Sequence, residues 1–456
     1  MARSSRKPCT YFEYLQHAID RHRNNNPLYN TLVRYAQSEG YTLPEHDFVR
    51  TVDGYKLRLH RLKRRNMEKF KGVIYLQHGL MCSSADYLVP GGLAYTLANR
   101  GYDVWMGNFR GNLYSYTHKE LEQKDTEFWN FSWDEHGTVD LYCMLQHILD
   151  KTGTEQITFV GHSMGTTAFF VMLNKYPEMN QKINYSVLLA PVTNVPNMHG
   201  LPRNTIYPIS WAVWALNLVR YDGFFRYKKI FANAGIMSTI MWQAGFSSIG
   251  FDRLFSILGT SPAGTSTHNL SHYIENFYGG HFKSRDGKTT YNLRKITCPT
   301  KIWWTKTDWA AGEKDTSLIL TALGSEVKEA KEVTLKHFGH LDFLWDTRNR
   351  DDLYVKIAED IDRYYPHTKP VYSLESLNSG SFQPTLKPPN LEGNGIRRTS
   401  QLTRRRVTQN TSYFAAAEAR VLARLERLHQ QRIRDQRNLF RCLPILNPGT
   451  VNYNLL

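Results

Sequence analysis

The sequence predicts a parallel α/β fold, and three observations carry that expectation. Short apolar, β-branched runs alternate with helix-length segments between Val73 and Ala190, a spacing that marks a parallel sheet with helices on both faces. One of these runs, Ile157 to Val160, breaks at Gly161 and resumes as an apolar helical stretch from Thr166 to Leu173, which reads as a sharp strand-to-helix turn. The alternation lapses at Pro191 and returns at Thr300 to Thr305 and at Glu332 to Lys336, so one sheet is interrupted by an insertion.

In chain order, residues 1–30 form a polar, basic lead without recognisable chemistry. Residues 40–62 hold two alternating runs joined at Asp53-Gly54, the signature of a β-hairpin. Val73 to Gln77 is a short strand ending in His78-Gly79-Leu80, and Tyr102 to Gly107 is a second, leading into Asn108-Phe109-Arg110-Gly111-Asn112. Trp133 to Leu149 has helical periodicity, and Ser186 to Ala190 is a further strand. Residues 191–296, rich in Trp, Phe, Ile and Met, read as a helical cap (lid) over the strand ends; a helical subdomain with its own core fits the pattern equally well. A helix from Leu353 to Tyr365, stopped by Pro366, closes a domain of residues 31–366. Residues 367–410 have linker composition. Residues 411–456 form a basic amphipathic helical tail with apolar Phe414, Val421, Leu425 and Leu428 among arginines. Such a helix suits an anionic membrane or a protein groove, and equally a solvated surface; no nucleic-acid module is visible in it.

Composition narrows the classes. At 456 residues and 41% hydrophobic, the chain can bury a large core. Of the net charge of +16, +9 lies after residue 366, so the basic excess belongs mainly to the tail. Five cysteines (Cys9, Cys82, Cys143, Cys298, Cys442) without C-x-x-C spacing argue against a disulfide framework and against a zinc site. No apolar run reaches membrane-spanning length, and no signal peptide is visible, so the expected location is cytoplasmic or peripheral to a membrane as written, and lysosomal or secreted if the N-terminus is incomplete. Four N-x-[ST] sequons, at Asn130, Asn184, Asn269 and Asn410, point towards the secretory route.

The chemistry gathers at Gly161-His162-Ser163-Met164-Gly165, a G-x-S-x-G turn that would expose a nucleophilic serine; Gly161 and Gly165 are required because a Cβ at either would collide with neighbouring backbone or helix. A serine hydroxyl needs an imidazole to take its proton and a carboxylate to fix the imidazole tautomer. In α/β-hydrolases these follow the serine in the order acid, then histidine. Asp308 follows the strand Thr300–Thr305, while Asp315 reads as a surface residue further on. After the last predicted strand both His337 and His340 are candidates; His337 abuts the strand, whereas Gly339 lets the chain turn before His340, which favours His340. The amides of Leu80 and Met164 are the expected oxyanion donors, with His78 structural in the Leu80 loop and His162 turned away from the site.

Seven separated segments, residues 41–62, 77–80, 101–112, 128–135, 161–167, 261–266 and 340–345, resemble the acid lipase family, which includes the gastric and lysosomal acid lipases of animals. The resemblance spans roughly residues 30–366. It implies an α/β-hydrolase fold with a lid, hydrolysis of neutral lipid esters such as acylglycerols or sterol esters, and Ser163, Asp308 and His340 as the triad, with no cofactor or metal. The implied partners are an apolar ester and a lipid droplet or membrane surface. The alternatives are a catalytically weak lipid-binding or scaffolding protein on the same fold, and a small-ester carboxylesterase. Three features depart from the family pattern: Met164 stands where glutamine is usual, Thr305-Lys306-Thr307 replaces a Gly-rich approach to the acid, and residues 191–290 contain no cysteine.

Overall fold

The computed structural model describes residues 27–42, 47–64, 70–198 and 260–365, together with Ser210, Gly223, Phe224 and Ile257. The expected lead up to residue 26, most of the cap, the linker and the tail lie outside these residues.

Helix α1 (Pro27–Ser38) opens with a proline, whose missing N–H costs nothing at a helix start, so the lead expected to end at residue 30 gives way to helix earlier. The strands are β1 (Tyr41–Thr42), β2 (Asp47–Arg50), β3 (Tyr55–Arg64), β4 (Val73–Gln77), β5 (Asp103–Gly107), β6 (Thr117–His118), β7 (Ile157–His162), β8 (Ile183–Leu189), β9 (Gly223–Phe224), β10 (Thr265–Ser266), β11 (Thr300–Trp304) and β12 (Val327–Glu332). Helices α2 (Leu93–Asn99), α3 (Trp133–Glu135), α4 (Tyr142–Thr152), α5 (Met164–Lys175), α6 (Thr267–Gly279), α7 (Glu313–Leu323), α8 (Asp342–Trp345) and α9 (Val355–Tyr364) are the other α-helices described, with π-helical turns at His136–Leu141, joining α3 to α4, and at Arg350–Tyr354, leading into α9.

Ten strands form one sheet in the order β1-β3-β5-β4-β7-β8-β11-β12, with β2 and β6 also on β3. From β5 to β12 neighbouring strands run parallel, and β3 is antiparallel to β5. The central strands β4, β5 and β7 are buried along their whole length, which explains their continuous apolar sequences. Within β4, Ile74 and Leu76 pack on one face with α2 and α9, while Val73 and Tyr75 pack on the other with α4 and α5. The period-two side-chain alternation of a strand thus feeds two cores, one on each face. Phe159 of β7 stacks on Phe169 of α5 with ring centroids 4.2 Å apart, seating the helix against the strand that precedes it.

Two expectations are corrected. The last described strand is Val327–Glu332 and not Glu332–Lys336, so four residues of loop and turn separate it from His337, which itself has a left-handed φ of 58°. Asp315 is buried and accepts a hydrogen bond from the side chain of Asn197, so it is no surface residue.

After β4 the chain passes to β5 on one side and later to β7 on the other. The carboxyl ends of β4 and β7 therefore border a reversal of strand order, where open α/β sheets leave a crevice. Of the sequons, Asn184 lies within β8 and Asn269 is fully buried, whereas Asn130 is exposed. Among the described residues no helix is long and apolar enough to cross a membrane, and no group of three or more His, Cys, Asp or Glu could hold a metal ion.

Candidate active site

Ser163 occupies the one residue between β7 and α5, with φ 52° and ψ −122°. A non-glycine residue here is strained by about 1–3 kcal/mol, which the surrounding contacts must hold in place. Its amide donates to the carbonyl of Leu189 in the next strand at 3.1 Å, and its carbonyl accepts from the Thr166 amide at 2.8 Å. The flanking glycines are sterically required. A Cβ on Gly165 would lie 2.5 Å from the Gln77 carbonyl oxygen, and one on Gly161 would lie 2.7 Å from the Phe159 ring.

The structure brings Ser163, His340 and Asp308 into one hydrogen-bonded chain. Ser163 Oγ lies 2.7 Å from His340 Nε2, and His340 Nδ1 lies 2.8 Å and 3.0 Å from the two oxygens of Asp308. Because a carboxylate only accepts, Nδ1 carries the proton and Nε2 is left to accept from the serine hydroxyl. Asp308 is fully buried, and burial by itself would raise its pKa; the electrostatic attraction and hydrogen bond of the His340 ring, with the amides of Ala311 and Ala310, reverse this and hold it below the usual carboxylate range.

The loop carrying His340 is tied down at several points. Asp342 accepts from the Gly339 amide at 2.7 Å, and the Thr307 hydroxyl donates to the Phe338 carbonyl. The departure from a Gly-rich acid loop therefore has a visible use, since Thr307 links the loop bearing Asp308 to the loop bearing His340. Lys306 points outward to Glu332, 3.6 Å away. His337 is not part of the chain.

Facing Ser163 is the loop after β4. Gly79 approaches so closely that a Cβ there would stand 2.9 Å from Ser163 Cβ. Among the described residues, neither the Leu80 amide nor the Met164 amide is bonded to a protein acceptor. His78 shapes this loop: its Nε2 accepts from the Phe109 amide at 3.1 Å, so Nδ1 carries the proton and donates to the Gly79 carbonyl at 2.8 Å. That carbonyl belongs to the peptide whose N–H is Leu80's, so the imidazole fixes the direction in which the amide points. Met164 turns its side chain into the core, where its sulfur lies 3.2 Å from Asn269 Nδ2.

One participant was not anticipated. His162 does not merely turn away from the site; its Nε2 donates to the main-chain carbonyl of His340 at 2.8 Å. No local signal in the sequence identifies this contact, since its partner lies 178 residues downstream. A second is Asp86, which is buried and gathers the Ser83 amide, the Ser261 hydroxyl and the Trp345 indole N–H, joining the segment after the Leu80 loop to Ser261, within residues 191–296, and to the segment after His340.

These buried groups set a pH dependence of stability. Burial lowers His78, His162 and His272 to about 3, so each contributes stability that is fully present above the unfolded value near 6.5 and is lost as pH falls below it, about 2 kcal/mol apiece by pH 5. Burial raises Asp86 and Asp134 to about 6, and their contribution has the opposite sign, present at acid pH and lost as pH rises through 6, about 1.4 kcal/mol each between pH 7 and pH 5. The histidines win, and thermal melts should show a lower Tm at pH 5 than at pH 7. A Tm that holds or rises at pH 5 would mean these histidines are charged in the fold.

Comparison with known proteins agrees in extent with the described domain. Residues 72–347 match the family described as alpha/beta hydrolase fold, and residues 32–91 match the partial alpha/beta-hydrolase lipase region. The chain is 33% identical to Lipase 1 of Drosophila melanogaster, over 70% of this chain and 77% of that one. It is 33% identical to mouse (Mus musculus) Lipase member K, over 67% and 84%. It is 31% identical to the human (Homo sapiens) lysosomal acid lipase/cholesteryl ester hydrolase, over 70% and 88%.

Proposed function

Because this chain belongs to the acid lipase family of α/β-hydrolases, we propose that it hydrolyses esters of neutral lipids, acylglycerols or sterol esters, with Ser163, His340 and Asp308 as its triad. The observation that carries the reading is the unbroken hydrogen-bonded chain from Ser163 Oγ through His340 to Asp308. The residues named for the domain, 31–366, take in both family matches.

The mechanism follows from the geometry. Ser163 Oγ attacks the ester carbonyl carbon while His340 Nε2 takes its proton, and the imidazolium so formed is stabilised by the buried carboxylate of Asp308. The carbonyl oxygen becomes an oxyanion, held by the Leu80 and Met164 amides, which need no reorganisation to receive it. His340 then gives its proton to the alcohol oxygen as the C–O bond breaks, leaving Ser163 acylated. A water deprotonated by His340 attacks the acyl carbon, and the fatty acid leaves as the proton returns to Ser163.

Turnover of an emulsified triacylglycerol, a cholesteryl ester and a soluble short-chain ester tests the substrate class. The expected result is hydrolysis of at least one of the two long-chain lipids. Turnover of the short-chain ester alone would make the protein a small-ester carboxylesterase. No turnover, with no labelling of the chain by a fluorophosphonate, would leave it a lipid-binding protein.

A further inference from the structure

Three loops meet at the ring of His162, which is completely buried. Its Nε2–H holds the His340 carbonyl at 2.8 Å. Its other nitrogen has no partner and faces the loop after β4, where a Cβ on Gly79 would lie 3.1 Å away. The two imidazole rings stand 5.1 Å apart at 45°. Resting on the reading of His340 as the base, we infer that His162 is a positioning residue that fixes the main chain of His340 relative to the nucleophile turn.

The other anchors of this loop do a different task. Asp308 grips the His340 side chain, Thr307 bonds Phe338, and Asp342 bonds Gly339. All of these sit on the acid loop or on the His340 segment itself, so they fix the base relative to the acid. His162 is the residue next to Ser163, and its bond ties the base to the nucleophile across the crevice. Proton transfer requires the Oγ-to-Nε2 distance to stay within hydrogen-bond reach, and a displacement of about 1 Å costs on the order of 100-fold in rate. Histidine suits the task because burial keeps its ring neutral. A cationic donor in the same place would oppose the charge His340 acquires in the transition state.

The test compares His162→Leu, His162→Gln and His162→Asn in the full chain. Gln places an amide N–H near the position of the imidazole Nε2, whereas the shorter Asn places one near Nδ1. With a turned-over ester, His162→Leu should lower kcat by about 10- to 100-fold with KM within about twofold, and His162→Gln should stay within about threefold of wild type. The low-field proton resonance of His340 Nδ1–H should shift or broaden in the leucine variant and persist in the glutamine variant. Wild-type kcat in His162→Leu overturns the inference, as does a kcat in His162→Gln as low as that of His162→Leu at equal Tm. Should His162→Leu not fold, the amide pair decides: activity kept by Gln and lost by Asn supports the inference, and equal activities overturn it. Failure of the underlying reading is separate, since it shows as an inactive wild type or an active Ser163→Ala variant.

Discussion

Ser163→Ala is expected to lower kcat for ester hydrolysis by about a millionfold and to abolish fluorophosphonate labelling, with Tm close to wild type. Alanine and serine are equally strained at φ 52°, so the substitution isolates the Oγ atom from the backbone geometry that carries it. The size of the loss follows from how a triad works. Without a nucleophile the base and acid have nothing to activate, and only binding and the amide pair remain. Labelling that persists in the alanine variant would place the nucleophile elsewhere.

The second large effect belongs to Asp308→Asn, expected to cost about 10⁴-fold in kcat while KM changes little. Asp308 accepts from His340 Nδ1 and from the amides of Ala310 and Ala311, and is fully buried. An asparagine of the same shape offers one acceptor and one donor where only acceptors serve. It favours the imidazole tautomer with the proton on Nε2, which then has no lone pair for the Ser163 hydroxyl. It also removes the charge that balances the imidazolium. A loss of under tenfold would assign the carboxylate role to another residue, and Asp315 is the next aspartate along the chain.

Features of the fold with local causes were legible in the sequence. The Asp53-Gly54 hairpin, the strand Val73–Gln77 and the Gly161–Gly165 turn are all written in neighbouring residues, and they fall where expected. The last strand was misplaced for a physical reason. Val327–Glu332 carries Lys328, Glu329, Lys331 and Glu332 because it is an edge strand, and its composition hides it, while the more apolar Val333–Leu335 beyond it mimics a strand. Asp315 was misread because its partner, Asn197, comes from the far side of the insertion. The contact of His162 with His340 was invisible for the same reason. Residue types announce chemistry, but long-range hydrogen bonds are known only once the sheet has brought its strand ends together.

The backbone of Ser163 sets a direction on any search for a sturdier version of this chain. Glycine adopts φ 52° without penalty, so replacement of the serine by glycine relieves the conformation that presents the hydroxyl. A library ranked by folding yield alone would therefore enrich sequences that have discarded their own reaction, and the two properties must be selected together.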